Sequence, residues 1–341
     1  MADLFGDADE RKLLVDNVAA EMGVAAWVVE KDLWVCWTLA RLVEIPELPE
    51  VTFKGGTSLS KVHGLVDRFS EDIDLTFSRD GWGFEGDRDP LNDSLSWKKR
   101  QALVDEIAGR STDVVRDLVV PGLRAACAPL QPGDWAVEIS NEDPQAVLFR
   151  FPRPSSSFSY GLPIVKVEFG ARGEPWPTAR HTVKPFVEEV HASLASSAVA
   201  EVSTLGAERT FWEKATLLHA LHHGSLAKPD KKLERLSRHL YDLHRMWHRN
   251  DLRARVLADK SLLDAVVRNK RTFFREGKAR YELLDHYTLN ASPHEALKVS
   301  LEADYGQMAS MFFPDSPVPK FHELLATLGE IDEAVSRWKA V

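Results

Sequence analysis

Asp72 and Asp74 stand two residues apart in a run, residues 71–77, that alternates polar and apolar side chains. On an extended strand residues i and i+2 face the same way, so both carboxylates share one side while Ile73 and Leu75 turn toward a core. Two adjacent carboxylates repel each other. A divalent cation makes the pair tolerable, and Mg²⁺ is the usual ion where carboxylates share it with substrate phosphates. Upstream, Phe53-Lys54-Gly55-Gly56-Thr57-Ser58-Leu59 puts two glycines between a short strand over residues 51–53 and a helix-forming stretch over residues 57–65. Glycines there let the backbone approach closely and leave amides open to a triphosphate at the positive end of the helix, with the Thr57 or Ser58 hydroxyl as a further donor. Alone, a D-x-D is more often a solvated strand end, and a Gly-Gly more often a tight turn. Together and in this order they point to binding of a divalent ion and the phosphates it neutralises.

A third carboxylate is offered by Val165-Lys166-Val167-Glu168-Phe169, whose alternation buries the apolar residues and turns Glu168 to the opposite face. Any half-buried strand has such a polar face, so pattern alone leaves Glu168 either as a site carboxylate or as a solvated strand residue. In the helical sequence of residues 208–221, Lys214 falls on the face of Phe211, Leu218 and Leu221, which sets an ammonium in an apolar stripe. It calls either for a core ion pair with an Asp or Glu or for phosphates as its anion. Around residues 236–247, Leu236, Leu240, Leu243 and Trp247 form a core stripe and leave Arg238, Asp242 and Arg245 on another flank. There the plain expectation is that Asp242 pairs with Arg238 one turn away.

These residues need elements to hold them. Residues 10–22 and 25–44 carry helical periodicity and predict two amphipathic helices; residues 79–93 read as a long loop, and residues 96–130 as helical. Strands are expected over residues 135–139, 146–151 and 164–170. From Ala207 the pattern is helical nearly to Val341, broken near residues 224–229 and 314–319. The fold class is α+β, with a mixed β-sheet in a first domain of residues 1–200 and a helical second domain of residues 201–341. At 341 residues with 44% apolar side chains the chain has ample core. No apolar run reaches the roughly 20 residues of a bilayer span, the start does not resemble a signal peptide, and Cys36 and Cys127 read as buried thiols of a reducing compartment. A cytoplasmic protein without a membrane partner is expected. The net charge is −9, yet residues 206–281 carry eighteen Lys and Arg against nine Asp and Glu, a surplus suited to an anionic partner or to a solvated helical surface.

The order Gly-Gly-Thr/Ser, short helix, D-x-D resembles the DNA polymerase beta-like nucleotidyltransferase fold. With Glu30-Lys31-Asp32-Leu33-Trp34, Arg68-Phe69-Ser70-Glu71-Asp72-Ile73-Asp74-Leu75, Glu208-Arg209-Thr210-Phe211-Trp212-Glu213-Lys214 and Arg238-His239-Leu240-Tyr241-Asp242-Leu243, the sequence resembles the AbiEii nucleotidyltransferase toxins, a group that includes the MenT toxins. The likeness spans roughly residues 25–75 and 160–245. It implies that Ser70 and Asp72 belong to the site, that Asp74 completes a Mg²⁺ pair, that Lys214 contacts the nucleotide, and that Asp242 is needed for catalysis. It further implies an NTP substrate held by Gly55, Gly56 and Thr57, a cognate antitoxin encoded nearby, and tRNA as acceptor, with translation blocked. The acceptor could instead be a protein or small-molecule hydroxyl, and a catalytically silent binding protein is the reading of another class. Thr57 stands where the superfamily often has Ser, and the insertion at residues 79–93 lengthens the first half. Phosphorylation of Ser70 would set about two negative charges beside the carboxylates and is expected to switch the site off.

Overall fold

Asp7 accepts hydrogen bonds from the amides of Asp9 and Glu10 and so starts α1 (Ala8–Met22), which Gly23 ends in the left-handed conformation at φ 66°. The computed structural model describes residues 4–130, 134–152, 162–224, 234–274, 276–314 and 316–340. α2 (Ala26–Val43) departs from expectation: it is buried all round, not along one stripe, and its interior positions include Glu30, Lys31 and Asp32. It packs against α1, the sheet and further helices on several sides, so no face is left for solvent.

β1 (Val51–Lys54) runs directly into α3 (Gly55–Lys61), and the chain returns as β2 (Ile73–Phe77). The loop that follows contains only one short 3₁₀ turn, Gly86–Arg88. α4 (Trp97–Val114) then passes through a π-helical stretch, Val115–Val119, into α5 (Val120–Ala126). Pro121 in the first turn of α5 has no N–H to offer the preceding turn, which accounts for the break in the regular ladder there. β3 (Ala136–Ile139), β4 (Ala146–Arg150) and β5 (Ile164–Gly170) follow where alternation predicts them. β6 (Thr178–Val183), the short α6 (Phe186–Val190) and β7 (Ala200–Leu205) were not expected. β6 is a largely exposed edge strand without an apolar face to betray it. β7 does alternate, with Ala200, Val202 and Thr204 buried, and that signal was present.

Among the described residues seven strands form one mixed sheet in the order β3-β4-β5-β2-β1-β7-β6. β1 pairs antiparallel with β2 and parallel with β7, while β2 pairs parallel with β5. Its core holds Phe53, Ile73, Leu75, Val165 and Val167, with Trp34 and Trp37 of α2 against Phe149 and Phe151.

The chain divides into two compact units, one of residues 1–62, 69–85 and 102–205, the other of residues 63–68, 86–101 and 206–341. The first unit holds the sheet. The second is helical: α7 (Ala207–His222), α8 (Ser237–Trp247), α9 (Asn250–Ala258), α10 (Lys260–Phe273), α11 (Glu295–Gln307) and α12 (Phe321–Ser336). Two short segments from the first half of the sequence thus group with the helical unit, which a single cut near residue 200 does not capture. In that unit α8 buries Leu240, Leu243 and Trp247 and meets α12, where the Trp247 indole donates to Glu330 at 2.9 Å. The helix break expected near residues 224–229 lies, after Gly224, outside the described residues.

Candidate active site

The approach of β1 to α3 explains the first glycine. Gly55 has φ +81°, and a Cβ built there would collide with the carboxylate of Asp74. A side chain is therefore excluded twice, by backbone conformation and by space. Asp74 sits opposite Lys54 in the β1–β2 register and opposite Glu168 in the β2–β5 register. Ile73 and Leu75 are buried behind it, as alternation requires. Asp72, Asp74 and Glu168 are thus gathered on one part of the sheet in the first unit, and Glu168 also pairs with Lys166 two residues away on its own strand.

The electrostatics match that crowding. The Asp74 carboxyl is pushed up to about 6, chiefly by burial; Lys54 opposes the shift, whereas Glu168 and Asp72 add to it by charge and by a hydrogen bond with Glu168. Such a cluster disfavours its own ionised form and rewards a cation that would neutralise it. Among the described residues no group of three or more His, Cys, Asp or Glu is placed to hold a metal ion. The donors at hand are hard carboxylate oxygens, which fits an ion that keeps waters and takes further ligands from substrate phosphates.

Two expectations change here. The hydroxyl of Thr57 donates to the carbonyl of Asp72, and that of Ser58 donates to the carbonyl of Gly55 at 2.9 Å. Both residues are buried: the Thr57 hydroxyl ties α3 to the residue before β2, that of Ser58 closes the first turn of α3, and neither proton is aimed outward at a phosphate. Ser70, half-buried, stands two residues before Asp72, and Glu71 between them pairs with Lys31 at 3.3 Å.

The second unit holds Lys214 and Asp242. Asp242 on α8 is fully buried and accepts two hydrogen bonds from Arg68, each 2.8 Å, while the Lys214 ammonium on α7 lies 2.9 Å from its Oδ2, one of the two oxygens that Arg68 engages. The partner of Asp242 is thus Arg68, 174 residues away, where spacing alone offered Arg238. Burial alone would raise the Asp242 carboxyl, but Arg68 and Lys214 outweigh it and hold the group well below the usual carboxylate range. A carboxylate so held is a poor proton acceptor. Burial lowers Lys214 despite the attraction of Asp242, and its ammonium lies 3.3 Å from Nδ1 of His239. Burial, then Lys214 and Arg238, push His239 well below its ordinary value, so it is neutral. Arg68, His239 and Lys54 stand within the motifs quoted above but were given no role there; the partner of Arg68 is fixed only by packing.

No helix among the described residues is long and apolar enough to cross a membrane. A search of curated proteins finds no match. Among solved structures the chain is similar to MenT4, a nucleotidyltransferase toxin from Mycobacterium tuberculosis H37Rv, at 16% identity over 96% of this chain and 98% of that one, with a TM-score of 0.46. Residues 37–327 match the profile of the AbiEii toxin, a nucleotidyl transferase of type IV toxin–antitoxin systems. That match covers most of the sequence, including both carboxylate-bearing strands and the Lys214 and Asp242 helices, and the chain belongs to the AbiEii family of nucleotidyltransferase toxins.

Proposed function

We propose that this toxin transfers a nucleotidyl group from an NTP to an RNA acceptor, the 3′ end of tRNA, in the cytoplasm, and so blocks translation until its antitoxin counters it. The observation that carries the reading is the register that sets Glu168 beside Asp74, with Gly55 yielding the space its side chain would fill. Mg²⁺ held by Asp72 and Asp74 would supply, when bound, charge neutralisation on the triphosphate. The backbone of Gly55 and Gly56 receives the phosphates. Glu168 takes the proton of the acceptor hydroxyl as its oxygen bonds to the α-phosphorus, and the bond to pyrophosphate breaks. The family resemblance gives Lys214 a nucleotide contact, and within the second unit Asp242 with Arg68 fixes where that ammonium stands. The Lys and Arg surplus of residues 206–281 favours RNA over a neutral small molecule as acceptor.

The test incubates purified protein with Mg²⁺ and each labelled NTP, offered total tRNA, protein extract or no acceptor, beside an Asp72→Ala control. Label on tRNA from one NTP, absent in the control, is the expected result. Transfer that survives Asp72→Ala overturns the site. Label confined to protein or to small molecules overturns the RNA acceptor and leaves the reaction class.

A further inference from the structure

Glu30, Lys31 and Asp32 form a charged triplet in a helix that is buried all round, and the chemistry above uses none of them. Buried charges are costly and persist where each has a partner. Glu30 faces Arg11 of α1 at 3.7 Å. The other two lead to the site. The Lys31 ammonium lies 3.3 Å from Glu71, the residue between Ser70 and Asp72, and donates to the carbonyls of Leu162, at 2.9 Å, and Ile164. Ile164 is the first residue of β5, the strand that carries Glu168. Asp32 accepts from the ammonium of Lys61, 3.1 Å away, and from the amide of Phe186 at 2.6 Å. Lys61 is the last residue of α3, whose first residue is Gly55, and its ammonium also reaches Glu189 at 2.9 Å and lies 3.8 Å from the centre of the Phe186 ring.

We propose that Lys31 and Asp32 are positioning residues, through which one turn of α2 locks the three elements bearing the site, α3, the entry to β2 and the start of β5, into the spacing that divalent-ion binding needs. The proposal rests on the reading of Asp72 and Asp74 as ion ligands. Its logic is geometric: Lys31 ties the Glu71 carboxylate, next to Asp72, to the backbone at the start of the strand of Glu168, and Asp32 fixes the far end of the helix whose glycine abuts Asp74. Groups that orient metal ligands from behind typically cost 10- to 100-fold in metal affinity when removed.

A merely structural ion pair makes a different prediction, so the test uses paired removal. Lys31→Met with Glu71→Gln takes both charges of the pair out together, so neither is left as a stranded ion; the Leu162 and Ile164 carbonyls lose a donor, a cost that thermal melting reports. Mn²⁺ alone serves as the probe, its binding followed by electron paramagnetic resonance without nucleotide or RNA, in the full chain, the double variant and Asp72→Ala, with thermal melting of each. The expected result is strong loss of binding in Asp72→Ala and binding about tenfold weaker in the double variant, which still melts cooperatively above the temperature of the binding measurement. Lys61→Met with Asp32→Asn is expected to weaken Mn²⁺ in the same sense. If Asp72→Ala abolishes binding while both double variants bind like the parent, the two residues are structural only and the proposal falls. If Asp72→Ala binds Mn²⁺ as the parent does, the ligand assignment itself fails and takes the proposal with it.

Discussion

Replacing Asp242 by Asn keeps the shape of the side chain and removes its charge. In the parent, one carboxylate serves two cations, with Arg68 at 2.8 Å and Lys214 at 2.9 Å, in a place where Asp242 is fully buried. The cluster of three therefore carries one net positive charge, and without Asp242 it would carry two. Removing one partner of a buried pair costs roughly 3–5 kcal/mol, most of it the price of leaving a charge uncompensated. At about 2–4 °C per kcal/mol for a unit of this size, the melting temperature should fall by about 6–20 °C. Lys214→Met does the opposite arithmetic, since it leaves a neutral Arg68–Asp242 pair and should cost about 1 kcal/mol or less beyond the loss of packing. pH provides an internal check. Burial lowers Lys214 already, and without Asp242 it should drop further, so the variant binds fewer protons folded than unfolded. Its stability must then rise as pH increases toward the ordinary lysine value of about 10.4. Urea unfolding and thermal melting at pH 7 and pH 9 measure both effects. An Asn variant that melts within about 2 °C of the parent at pH 7, or one that is more stable than Lys214→Met, would refute the reasoning. An activity loss in Asp242→Asn counts as chemistry only if the protein is shown to be folded at the assay temperature.

Gly55→Ala should impose about 1–2 kcal/mol of left-handed backbone strain and displace the Asp74 carboxylate, so that Mg²⁺-dependent transfer falls by more than the drop in melting temperature explains; full activity in this variant would contradict the close approach. His219 is buried, its Nε2 donating to the carbonyl of Arg280 and its Nδ1 accepting from the amide of Asn290, and burial lowers it to about 4. Because the unfolded chain binds that proton near pH 6.5, its stabilising contribution is complete above that pH and is lost as pH falls through about 4, worth up to about 3 kcal/mol; in denaturant titrations His219→Gln should flatten this slope, and an unchanged slope speaks against it. Ser70→Glu should suppress transfer by adding negative charge two residues from Asp72, and a fully active variant would remove the case for phosphorylation as a switch.

Much of the candidate site was legible along the chain because strand and helix periods state which side of an element a side chain occupies. Asp72 and Asp74 on one side, Ile73 and Leu75 on the other, Glu168 away from Val167, and Lys214 within an apolar stripe all follow from spacings of two or of three and four. The Gly-Gly pair announced a close approach, though not that the approaching group would be Asp74. Packing decided the rest. The β2–β5 register put Glu168 beside Asp74, the return of the chain to β2 gave the Thr57 hydroxyl the Asp72 carbonyl, and the fold brought Arg68 to Asp242 across 174 residues. The same holds for α2, whose periodicity suggested one solvated face and whose charges instead found Arg11, Glu71 and Lys61. A residue's type and period fix what interactions it demands and in which direction; which group answers a buried charge depends on what distant segments the fold packs against it, and no local pattern carries that information.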